Sequence, residues 1–83
     1  GNYTNLYVSN GKKIHSSKTL KYYQDLLDKK IFFRIHHSFL INIFKVNTYK
    51  KNKKEVILNN NRTLPVAVRR SKEFLEIWCK LKN

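Results

Sequence analysis

Arg34, His36, His37 and Ser38 lie within one short segment of the chain, and Arg69, Arg70 and Lys72 within another. Both segments are dense in hydrogen-bond donors and positive charge. Arginine suits a guanine edge or a phosphate, because its planar fork presents paired donors. Neighbouring histidines suggest a metal first. At a strand end, however, adjacent side chains point apart, and no third histidine at helical spacing, cysteine or carboxylate stands near enough to complete a shell, so no metal site is expected. Catalysis fails on inventory. The five carboxylates fall on helix surfaces or in a lysine-flanked strand, with no pair placed for acid–base work and no evident nucleophile. Gly1 and Gly11 are the only glycines, which excludes a glycine-rich phosphate cradle. The chain is therefore expected to be no enzyme and to need no cofactor.

Charge points to the partner. Eighteen Lys and Arg against five Asp and Glu give a formal net charge of +13, which calls for a polyanion, nucleic acid before an acidic membrane surface. Fourteen of the cations are Lys and ten residues are Asn, types that share A-rich codons, so an AT-rich genome accounts for part of the excess and position must decide the rest. Arg69 and Arg70, two of only four arginines, are not explained that way. Either one alone reads equally well as a solvated helix start. Together they oppose the dipole of the helix they begin, while the same N-terminus offers N–H groups to a phosphate, and a phosphate partner removes the conflict.

These groups need a scaffold, and 83 residues with 41% hydrophobic and 13% aromatic content suffice for a single domain over 1–83 with a modest core. Residues 3–9 alternate and reach Asn10-Gly11, the strongest two-residue hairpin signal, before 12–15 return. Ser16 and Ser17 can cap a helix over about 17–30, with Leu20, Tyr23, Leu26 and Leu27 as its core face. Residues 31–35 read as a strand, 36–38 as a loop and 39–44 as an apolar segment in which Asn42 serves turn backbone. A β-meander follows, pairing 44–50 with 55–59 and then with 62–66, where Pro65 marks an edge. A final helix over 68–81 carries Phe74, Ile77, Trp78 and Leu81 on one side. The single cysteine, Cys79, fits a reducing cytoplasm, and no stretch is long and apolar enough to span a bilayer. With no Met and a start inside a strand, the chain reads as a C-terminal piece of a longer product.

The run IFFRIHHSFLIN at 31–42, preceded by TLK at 19–21 and NYT at 2–4 and followed by LPVAVR at 64–69, resembles the LytTR family of bacterial DNA-binding domains. The resemblance covers practically the whole chain. It implies a mainly β fold, an elongated β-sandwich of short antiparallel strands with two helices, lacking its first strands here. It also implies DNA recognition by loops inserted into successive major grooves. By position, the base readers are Thr4, Asn5, His37 and Arg69, while Ser38, Arg70 and Lys72 sit on phosphates. Arg34, His36 and Asn42 match the part of the motif that holds the loop. His37 stands where many members carry arginine and offers one donor or acceptor in place of a fork.

The resulting expectation is sequence-specific binding of double-stranded promoter DNA by the output domain of a two-component response regulator. An upstream receiver domain, a homodimer on repeated half-sites and a place at the cytoplasmic nucleoid go with it, and a membrane does not. The rival is a non-specific basic module for RNA or ribosomes, which diffuse lysine would satisfy. Five lysines between Lys45 and Lys54 read as a solvated edge that discourages strand pairing and attracts DNA only at range. Replacing Lys51 and Lys53 by Gln should therefore leave affinity for a specific duplex within a few-fold, as measured by fluorescence anisotropy.

Overall fold

A computed structural model describes residues 6–7, 13–14 and 18–82. Its elements are β1 (Leu6–Tyr7), β2 (Lys13–Ile14), α1 (Leu20–Leu26), β3 (Phe32–His36), β4 (Phe39–Asn42), β5 (Val46–Lys50), β6 (Glu55–Leu58), β7 (Thr63–Pro65) and α2 (Val68–Lys82), with a 3₁₀ turn at Ile43–Lys45. The strands form two sheets, ordered β2-β1-β4-β3 and β5-β6-β7. All pairs are antiparallel except β1 with β4, which run parallel with Tyr7 opposite Ile41. Between those two strands the chain passes through β2, α1 and β3, long enough for the crossover that parallel pairing requires. Pro65 closes β7 at the edge of the second sheet, where its missing N–H interrupts no ladder.

The sheets enclose one main core. Tyr7, Phe33, Ile35 and Ile41 from the first meet Val46, Val56, Leu58 and Leu64 from the second and around it. Phe74 of α2 is fully buried among them, 4.9 Å from the Tyr49 ring in an edge-on contact and 5.8 Å from Phe33. The opposite face of β4 is covered too: Leu40 packs on Leu20, with Tyr23, Leu27 and Phe32 around it. Consecutive Leu40 and Ile41 are both fully buried because one faces α1 and the other the sandwich interior.

α1 is shorter than the pattern predicts, ending at Leu26 and not near residue 30. Asp28 is the reason. Its Oδ1 accepts from the Lys30 N–H at 2.8 Å and its carbonyl accepts from Ile31 and Phe32, a local turn that competes with further helix. The N-cap is Thr19, whose Oγ1 accepts from the Tyr22 N–H at 3.1 Å; the expected caps Ser16 and Ser17 lie outside the described residues, as does the Asn10-Gly11 turn. Leu26 is 64% exposed, against the expectation that it belongs to the core face. Six residues after Leu20, it lies some 240° around the helix from that buried position.

These placements separate two apolar helix residues that periodicity alone treats alike. Phe74→Ala should cost ~3–5 kcal/mol of stability, the usual range for emptying a core aromatic site. Leu26→Ala should stay within ~0.5 kcal/mol. Urea denaturation of both variants checks the assignment, which equal losses would contradict.

Candidate nucleic-acid interface

The β3–β4 connection is built by its own side chains. A bulge between Arg34 and His36 adds one residue to β3, and the chain then reverses through His37 and Ser38. The Ser38 N–H donates to His36 Nδ1 at 3.0 Å, so that nitrogen acts as an acceptor, while the imidazole lies 5.4 Å from the Phe39 ring. Arg34 supplies the remaining ties. Its Nε donates to the His36 carbonyl at 3.0 Å, one terminal nitrogen to the His37 carbonyl, and the other to Gln24 Oε1 of α1 at 3.0 Å. The outcome is a pinned turn with His37 exposed at its tip. At the other end of β4, Asn42 Oδ1 accepts from the Phe44 N–H at 2.9 Å and caps the 3₁₀ turn.

The start of α2 is fastened beside this turn. The Ala67 N–H donates to the Ile35 carbonyl at 2.8 Å, and the helix opens one residue later with Arg70 N–H donating to the Ala67 carbonyl at 2.9 Å. Arg69 is thus exposed on the first turn of a helix and not in a loop. Arg70 is half-buried, and its Nε is buried with no hydrogen-bond partner. Lys72 is exposed, three residues after Arg69. Burial, and then the charges of Arg70 and Arg69, pull the Arg34 guanidinium below its ordinary pKa. The lysine hairpin shares this end of the molecule, since the Val66 N–H donates to the Lys54 carbonyl at 2.8 Å just ahead of α2.

Of the residues singled out by sequence, Arg34 links the two segments: it bonds the His37 carbonyl and feels the charges of Arg70 and Arg69, although residues 37 and 70 are far apart in the chain. Thr4 and Asn5 lie outside the described residues. Sequence reasoning missed Gln24, which anchors Arg34 from α1; ten positions separate the pair, and no local pattern signals such a bond. Among the described residues, no group of three His, Cys, Asp or Glu side chains could hold a metal ion, and no helix is long and apolar enough to cross a membrane.

Only a guanidinium can serve all three of these acceptors at fixed angles. Arg34→Lys keeps the charge and loses the fork, so it should cost ~1–3 kcal/mol and speed amide hydrogen exchange at Ser38. Exchange measured by NMR on both forms checks this; an unchanged rate at Ser38 would mean that the turn holds without Arg34.

Comparison with known proteins adds a family match. No curated protein and no solved structure matches the chain, whereas the model of the LytTr DNA-binding domain matches residues 1–78. That match takes in both sheets, the pinned turn at His37 and most of α2, so the chain belongs to the LytTR family of DNA-binding domains.

Proposed function

We propose that the domain binds promoter DNA sequence-specifically as the output domain of a bacterial two-component response regulator in the cytoplasm. The observation that carries this reading is the bond from Ala67 N–H to the Ile35 carbonyl, which fastens Arg69 beside the pinned His37 turn. Two segments from distant parts of the chain are thereby held at one end. In this reading Thr4, Asn5, His37 and Arg69 read base edges, and Ser38, Arg70 and Lys72 sit on phosphates. The loops in this reading enter successive major grooves on one face of the duplex. A receiver domain upstream and a homodimer on repeated half-sites complete the proposal.

Arg69 and Lys72 lie close together and fail differently under it. Arg69→Ala should cost ~1–3 kcal/mol on a selected cognate duplex and relax preference at one base pair. Binding to a scrambled duplex should fall much less. Lys72→Ala should weaken both duplexes alike and reduce the log–log salt slope by ~1. The cognate comes from selection out of a random DNA pool, and titrations at several salt concentrations give the slopes. Equal loss on both duplexes for Arg69→Ala, with unchanged base preference, would favour the non-specific polyanion binder.

A further inference from the structure

Between the two helices, on the side of β3, lies a groove of about 300 Å³ lined by Gln24, Lys29, Phe32, Arg34, Arg70 and Ile77, with Phe33 and Glu73 completing it. Three cationic side chains face one carboxylate, and Glu73 forms no ion pair with any of them, the Lys21–Asp25 pair being the one ion pair shown among the described residues. Phe32 and Ile77, both half-buried, supply an apolar wall. Arg70 holds no hydrogen bond through its buried Nε, so turning its guanidinium onto a ligand breaks no bond at that donor. Arg34 reaches the groove while its own guanidinium is disfavoured by burial and by two neighbouring arginines, a repulsion that an anion between them would relieve. The lysine-lined hollow at Lys50, Lys51, Asn52 and Lys53 has no comparable wall, and its lining residues are all exposed.

We infer that this groove is a binding site for a small organic carboxylate with a single ring or branched apolar body. The carboxylate lies against Arg70, whose planar fork matches its two oxygens, with the charge of Arg34 beside it while that guanidinium keeps its three bonds, and the body lies on Phe32 and Ile77. The volume is at the low end for ligand sites, which limits the occupant to a compact molecule. Because Arg34 also holds the His36 and His37 carbonyls, an occupant is linked to the exposed turn through one side chain. The inference stands independently of DNA recognition and is tested without DNA.

The probe is sodium benzoate, titrated into the isotopically labelled chain and followed by NMR, with acetate and benzyl alcohol as controls at matched ionic strength. Saturable shifts confined to the Gln24 side-chain amide and to the amides around Lys29, Phe32, Arg34, Arg70 and Ile77 are expected, at millimolar concentration for so small a ligand. The Ser38 amide should follow through Arg34. Acetate, lacking the ring, and benzyl alcohol, lacking the charge, should each bind far more weakly. Arg70→Met should weaken benzoate about tenfold, the loss expected for a charge-assisted contact. Should Arg70→Met fail to fold, Lys29→Gln, at an exposed position, should still weaken binding about threefold, the effect of one exposed charge pair. Shifts spread over the lysine hairpin and equal for acetate would overturn the proposal, as would the absence of saturation or unchanged binding in a folded Arg70→Met or Lys29→Gln variant.

Discussion

Arg34 is the side chain on which the candidate interface depends. One guanidinium joins α1, through Gln24, to the two carbonyls that shape the His36–Ser38 reversal. Without it, that turn would keep only the Ser38–His36 bond and the contact of the imidazole with Phe39, and would lose its tie to α1. The geometry also explains why Arg34 is half-buried despite its cost: each donor group meets an acceptor that would otherwise turn to solvent. Its position behind the turn means that it shapes the exposed surface without being that surface.

The same economy runs through the rest of the fold. β4 is buried on both faces, Ile41 toward the sandwich and Leu40 toward α1, so the strand that follows the exposed turn is immobilised from two sides. α2 is anchored by Phe74 in the main core and by Ala67 on β3. A rigid strand and a docked helix thus meet beside one another at their solvent-facing ends. Recognition groups placed on such supports lose little conformational freedom on binding, which favours both affinity and discrimination.

Charge works in the opposite sense. A formal +13 on 83 residues leaves far more cations than carboxylates to pair with them, and the excess opposes compaction. Arg69, Arg70 and Arg34 concentrate that repulsion at one end. Under the proposed reading, a polyanion laid on this end lessens that repulsion. The field there is reinforced by the lysine hairpin, whose strands hold it next to the start of α2.

Sequence by itself determined the element types, the edge position of Pro65, the extent of α2 and the family, because hydrophobic periodicity and turn chemistry are local properties of neighbouring residues. The motif around Arg34, His36 and Asn42 was legible as the part that holds a turn. The end of α1 at Leu26 is local as well, since Asp28 captures the backbone of Lys30, a signal that the apolar periodicity overrides in a reading of the pattern alone. Three things were decided only by tertiary structure. Leu26 is exposed because the buried face is set by where Leu40 lies. The β1–β4 pair is parallel because a crossover, and no hairpin, joins those strands. Gln24, Arg34, Ile35, Ala67 and Arg70 are neighbours only after two sheets have packed, and no spacing along the chain encodes a contact between groups whose distance is set by the core beneath them.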